Sequence, residues 1–197
     1  MAVKHGDRAV FVDKDGTLVE DLPYNVDPSC IKFTDGAADG LRLLADRGFR
    51  IFVISNQPGV ALGRFAEDAL SAVERHISDA LRGNGVTLEG FYYCPHLPNG
   101  AVARYAVACA CRKPGSGLLL QAAREHGLAL TRSWMVGDIL DDIEAGRRAR
   151  CRTILIDNGN ETEWDLSGER QPEAVAHNLR AAAQIILASA AGGRAGP

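Results

Sequence analysis

Apolar residues fall into two recurring patterns along the chain. Arg8-Ala-Val-Phe-Val-Asp13, Phe49-Arg-Ile-Phe-Val-Ile-Ser55, Trp134-Met-Val-Gly137 and Arg152-Thr-Ile-Leu-Ile156 are short, nearly continuous apolar runs, as buried parallel strands are. Gly90-Phe-Tyr-Tyr-Cys94 reads as a further strand. Between these runs the period lengthens. Leu41, Leu43 and Leu44 give an apolar helix face that starts at a cap in Thr34-Asp35-Gly36 and stops at Gly48. Leu70, Val73, Ile77 and Leu81 predict a helix over 66–82, closed by Gly83-Asn84-Gly85. Helices are also predicted over 117–126, near 141–148 and over 179–188, while 95–111 lacks periodicity and reads as a loop that needs its own staple. Alternating strands and helices predict an α/β fold, a doubly wound parallel sheet covered on both faces. Residues 1–190 are expected to form a single domain, with the Gly/Ala-rich 191–197 a disordered tail.

Charge narrows the function classes. Lys and Arg number 22 against 25 Asp and Glu, a formal charge of -3. Nucleic-acid and membrane-surface binders carry a basic excess, so neither partner is expected. No apolar run is long enough for a membrane span, and the charged start does not resemble a signal peptide. The expected location is therefore the cytoplasm, where the five cysteines stay reduced.

Three cysteines cluster. Cys94-x-His96 and Cys109-x-Cys111 together offer three thiolates and an imidazole, a full tetrahedral set for Zn²⁺. All four positions being spent, the ion would be structural, closing the loop over 94–111. The bland alternative is a set of buried cysteines beside a loop histidine. Cys30 and Cys151 stand alone and are expected to be inert and apolar, and His5, His76, His126 and His177 have no matching partner.

Carboxylates gather where strands stop. Asp13-Lys14-Asp15-Gly16-Thr17 sets two acids one residue apart, a pairing suited to attack by one and proton transfer by the other, although Asp-Gly also simply caps turns. Gly137-Asp138-x-x-Asp141-Asp142 adds acids at a helix start, which suit either a hard cation such as Mg²⁺ or an N-cap at Asp138. Arg112-Lys113, just beyond Cys111, supplies adjacent cations for phosphate oxygens, or an ordinary solvated pair.

In order and spacing, Asp13-x-Asp15-Gly16-Thr17, Ser55-Asn56, Lys113-Pro114 and Gly137-Asp138-x-x-x-Asp142 resemble the four motifs of the haloacid dehalogenase superfamily, in its aspartyl-phosphate phosphatase branch. Asn56-Gln57-x-Gly59, Tyr92-Tyr93-Cys94-Pro95-His96 and Cys109-x-Cys111-Arg112-Lys113-Pro114 resemble, more narrowly, the heptose bisphosphate 7-phosphatases and the related histidinol-phosphate phosphatases. That resemblance implies Asp13 as nucleophile and Asp15 as general acid and base. It implies Mg²⁺ held by Asp13, the Asp15 carbonyl and Asp138, with Ser55 and Lys113 gripping the phosphoryl group. Asn56 and Arg112 would meet the substrate, a sugar phosphate, and Asp142 would position Lys113. The intervals between motifs leave no room for a large cap domain, so 18–33, 57–65 and the zinc loop would select substrate. Tyr24 is then a specificity candidate, with a packing role equally open. Leu62 and Ile139 stand where those relatives usually carry basic residues, and the nearest substitute is Arg64. A monomer is expected. Another sugar phosphate, histidinol phosphate, or a zinc-bearing binding module without chemistry remain the competing functions.

Overall fold

The computed structural model describes residues 6–192. Six parallel strands form one sheet: β1 (Ala9–Val12), β2 (Arg50–Asn56), β3 (Leu88–Cys94), β4 (Trp134–Gly137), β5 (Arg152–Ile156) and β6 (Ala174–Ala176). Their order is β3-β2-β1-β4-β5-β6. The chain winds outward from β1 to β3, then returns to the other side of β1 and winds outward again. Crossovers of opposite sense leave a crevice at the carboxyl ends of β1 and β4, where doubly wound sheets bind ligands.

Five helices cover the sheet: α1 (Ala37–Ala45), α2 (Leu70–Gly83), α3 (Gly117–His126), α4 (Leu140–Arg148) and α5 (Leu179–Gly192). Strand alternation assigns them to faces. Val10 and Val12 join Leu41, Leu44, Val73, Ile77 and Ile186 on the α1, α2 and α5 side. Ala9 and Phe11 join Phe52, Leu118, Leu119, Ala122 and Met135 on the α3 and α4 side. Each fully buried large aliphatic or aromatic side chain contributes about 1.5–3 kcal/mol. Gly40 lets α1 approach the backbone of Leu179 at the start of α5, a contact that a Cβ would block.

Most predicted elements are present, and α3 has the expected bounds. Some details differ. Leu43 is exposed, because the α1 face that meets the sheet is formed by Ala37, Gly40, Leu41 and Leu44. The cap of α1 lies in the expected stretch, at Gly36 in a left-handed conformation, while the Thr34 hydroxyl donates to the Thr17 carbonyl at 2.6 Å. Helix α5 continues through residues 191 and 192, so the expected tail boundary falls inside it, and 193–197 lie outside the described residues, as does His5. Of the two lone cysteines, Cys30 is exposed and Cys151 is buried.

The links from β1 to α1 and from β2 to α2 hold only short 3₁₀ turns, at Pro28–Cys30 and Glu67–Ala69. Among the described residues, no large cap domain stands over the sheet end. No described helix is long and apolar enough to cross a membrane.

Candidate active site

Asp13 directly follows β1, Ser55 and Asn56 end β2, and Asp138 directly follows β4. Parallel hydrogen bonding keeps these strand ends level, and the Asp13 N–H continues the ladder to the Val136 carbonyl at 2.9 Å. A cleft of about 270 Å³ opens there, lined by Asp13, Asp15, Asp21, Asn56, Lys113, Asp138, Ile139 and Asn160. Carboxylate oxygens of Asp13, Asp138 and Asp142 lie within 4.8 Å of one another.

Lys113 crosses the floor of this cleft. Its ammonium contacts both Asp13 and Asp142 and donates to the Ile54 carbonyl at 3.1 Å. Its backbone is pinned by Asn56, whose Oδ1 accepts from the Lys113 N–H at 3.0 Å and whose Nδ2 donates to the Lys113 carbonyl at 3.1 Å. Asp142 reaches back from the first turn of α4 to accept from the Ile139 N–H at 3.3 Å. Gly137 is required for this approach, since a Cβ at that position would overlap the Asp142 carboxylate.

Burial concentrates charge. Asp13 is raised to about 7, first by desolvation, with Lys113 opposing and the Asp142 and Asp15 charges adding to the rise. Asp138 is raised to about 6 by desolvation and then by Asp13, against hydrogen bonds from Asn160 and Thr17. Asp142 is also raised by burial. Burial alone would depress Lys113, but Asp13 and Asp142 outweigh it and hold the amine above its ordinary value. Several carboxylates around one ammonium leave negative charge that a divalent cation can balance.

Asp15 sits beside this group with both oxygens engaged, one by Lys14 and the other by Gln57 Nε2 at 3.0 Å. The same Gln57 amide donates to Ser55 Oγ at 2.8 Å. Ser55 thus accepts one hydrogen bond and keeps its own O–H as a donor.

The zinc candidates also converge. Sγ of Cys111 lies 3.1 Å from Sγ of both Cys94 and Cys109, and 3.3 Å from His96 Nδ1. Cys94 is buried and the other three are half-buried. Burial raises the Cys94 and Cys111 thiols, whereas Cys109, despite burial, is brought down to about 7 by hydrogen bonds from Cys111 and the Arg112 N–H. Three sulfurs and one nitrogen at such separations fit a single tetrahedral Zn²⁺. The loop is also clasped to its surroundings: Glu67 accepts from the Tyr105 and Tyr93 hydroxyls, and the Val102 N–H donates to the Ala61 carbonyl at 2.9 Å.

Comparison with known proteins agrees with this arrangement. A family model described as HAD-hydrolase-like matches residues 110–182. A D-glycero-β-D-manno-heptose-1,7-bisphosphate 7-phosphatase of Yersinia pestis is 38% identical over 152 residues, covering 77% of this chain and 81% of that protein. The chain belongs to the HAD-like phosphatases. A relative of the same name from Haemophilus influenzae is 40% identical over 162 residues, covering 82% and 88% of the two chains. The crystal structure of a D,D-heptose 1,7-bisphosphate phosphatase from B. bronchiseptica, complexed with magnesium and phosphate, superposes with a TM-score of 0.74 at 26% identity, covering 92% and 99% of the two chains.

Within this HAD-like phosphatase, the other expected substrate contacts lie away from the floor. Arg112 donates to the His96 carbonyl at 3.4 Å and is therefore tied to the zinc loop. The Arg64 guanidinium stacks over the exposed Tyr24 ring, 5.6 Å from its centroid. Tyr24 has a φ of 58°, so the pair sits on a turn with left-handed backbone. Ile139 lines the cleft as an apolar side chain.

Sequence reasoning missed several partners. Thr17 donates to Asp138 Oδ1 at 2.9 Å, and Asn160 donates to Asp138 Oδ2 at 2.6 Å. Thr17 belongs to the first motif, so its proximity was within reach of the spacing argument. Asn160 lies beyond β5 in a polar turn without a motif, and only the strand order brings it beside Asp138. His126, for which the sequence shows no partner, has two: Nδ1 lies 2.9 Å from Arg50 Nη2 and Nε2 lies 3.1 Å from the Tyr92 hydroxyl.

Proposed function

We propose that this chain is a Mg²⁺-dependent phosphatase that removes the 7-phosphate of D-glycero-β-D-manno-heptose 1,7-bisphosphate through an aspartyl phosphate on Asp13. The observation that carries the reading is the meeting of Asp13, Lys113 and Asp138 in one cleft, with the buried Asp142 paired to Lys113. The substrate follows from relatives of that name that align over most of the chain.

Asp13 attacks phosphorus, and the bond to the sugar oxygen breaks as Asp15 donates a proton to that oxygen. Asp15, now ionised, takes a proton from water as the water attacks the aspartyl phosphate; phosphate leaves and Asp13 is restored. Gln57 suits this exchange because it holds Asp15 beside Ser55, whose free O–H meets an equatorial phosphoryl oxygen. Lys113 meets another, and its pairing with Asp142 keeps it protonated. When bound by Asp13, Asp138 and the Asp15 carbonyl, Mg²⁺ supplies positive charge to the phosphoryl oxygens.

We assign substrate selection to the zinc loop, with Arg112, and to the Arg64–Tyr24 pair. A reducing cytoplasm keeps the four zinc donors available, and an open single-domain monomer needs no second chain to complete the site. Phosphorus NMR of the heptose bisphosphate incubated with enzyme and Mg²⁺ tests the assignment. Loss of the C7 phosphate resonance with the C1 phosphate retained is expected. Loss of the C1 phosphate, or preferred turnover of histidinol phosphate in a parallel assay, would overturn it.

A further inference from the structure

The turn after β5 has no role in the mechanism above, yet three of its side chains reach the catalytic end of the sheet. Asn158 Nδ2 donates to the Gly16 carbonyl at 2.7 Å. Asn160 Nδ2 donates to Asp138 Oδ2 at 2.6 Å. Glu161 Oε2 accepts from the Leu140 N–H, satisfying a free donor at the start of α4. The turn is also tied internally, because the Asn160 N–H donates to Asn158 Oδ1 at 3.1 Å and Glu161 Oε1 accepts from the Thr162 and Glu163 N–H groups. Gly16 lies so close that a Cβ there would overlap both the Asp138 carboxylate and the Asn160 amide. The first motif is therefore shaped to admit this contact.

The chemistry of the donors matters. Asp138 receives one hydrogen bond on each oxygen, from the Thr17 hydroxyl and the Asn160 amide, and both donors are neutral. Two such bonds fix the rotation of the carboxylate without bringing positive charge to it. A lysine or arginine at position 160 would also hold the carboxylate but would compete with a divalent ion for it. Partners that orient a metal ligand commonly change metal affinity 10- to 100-fold when removed.

We infer that Asn160 is a positioning residue for the divalent metal: its amide locks the Asp138 carboxylate in the orientation that holds the ion. The inference rests on the assignment of Asp138 as a Mg²⁺ ligand under the proposed function. Calorimetric titration of the zinc-loaded full chain with Mg²⁺, without substrate, tests it alongside activity measured against Mg²⁺ concentration. Asn160→Ala is expected to weaken Mg²⁺ about tenfold. The Mg²⁺ needed for half-maximal activity should rise by the same factor, with kcat at saturating Mg²⁺ within about twofold of wild type. Bound zinc and far-UV circular dichroism report that the fold is intact, and Asn160→Ser carries the same test if the alanine variant misfolds. Mg²⁺ affinity unchanged in the variant would overturn the inference. So would a fall in kcat with unchanged Mg²⁺ affinity, which would place Asn160 on the substrate. Asp138→Asn separates the two levels. If that variant binds Mg²⁺ as wild type does, the ligand assignment itself fails; if it loses Mg²⁺ while Asn160→Ala does not, only the role of Asn160 fails.

Discussion

The molecule holds two groups of metal-type donors, and they are built in opposite ways. Asp13 and Asp138 are placed by strands β1 and β4, whose pairing fixes their separation before any ion arrives. Cys94 alone among the zinc donors lies on a strand; His96, Cys109 and Cys111 lie on a loop whose only regular element is the 3₁₀ turn Ala103–Tyr105. The sheet makes the first site. In the second, the donors come from a loop that an ion would close, alongside the Glu67–Tyr105 and Val102–Ala61 hydrogen bonds. Chemistry and loop order should therefore respond separately to mutation, and that separation can be measured.

The largest expected effect is on chemistry alone. Asp13→Asn removes the proposed nucleophile and should lower turnover on the order of 10⁴-fold or more, while bound zinc and the circular dichroism spectrum stay as in wild type. Loss of zinc from this variant would show that the two sites are not independent. Next comes the loop. Stripping zinc by chelation, or Cys109→Ser, should lower kcat/KM roughly 10²-fold by displacing Arg112, since small misplacements of positioning groups cost that much. Mg²⁺ affinity should hardly change, and calorimetry on the zinc-free protein checks this.

Proton competition gives a smaller effect, confined to the carboxylate site. Asp13 at about 7 and Asp138 at about 6 keep their protons in the folded chain well above the ordinary carboxylate range. The native state then binds more protons than the unfolded state between about pH 4 and pH 7, so metal-free stability should fall as pH rises through that window. Mg²⁺ binding displaces those protons, so its affinity should rise over the same window. The thermal shift produced by Mg²⁺ should accordingly be larger at about pH 8 than at about pH 5.5, and an equal shift at both would contradict the burial of these acids.

The smallest effect lies where the zinc loop is clasped to its surroundings. Glu67 accepts from Tyr93 on β3 and from Tyr105 in the zinc loop. Glu67→Gln should cost about 1 kcal/mol by denaturant unfolding, with zinc retained.

What the sequence made legible follows the same division. Continuous apolar runs and the spacing of Leu70, Val73, Ile77 and Leu81 are local signals, and the strands and α2 they predict are present, with all four of those side chains buried. Strand β6 escaped notice because Ala174–Ala176 is short, lies at the sheet edge and has Val175 exposed, so its pattern carries almost no periodicity. Leu43 was misplaced for a related reason: three leucines over four positions cannot all face one sheet. The Asn160 donor to Asp138 and the Gln57 link between Asp15 and Ser55 depend on strand order and side-chain direction, which no local spacing encodes. The zinc set was legible because its residue types are rare and chemically specific, and their convergence follows from the chemistry they share.

The account rests on a covalent bond between Asp13 and phosphorus. Rapid acid quench of enzyme turning over the heptose bisphosphate, followed by mass spectrometry of the peptide containing Asp13, tests this most directly. A phosphoryl group on Asp13 during turnover is the predicted result. Phosphate release at full rate with Asp13 unmodified at every quench time would contradict it.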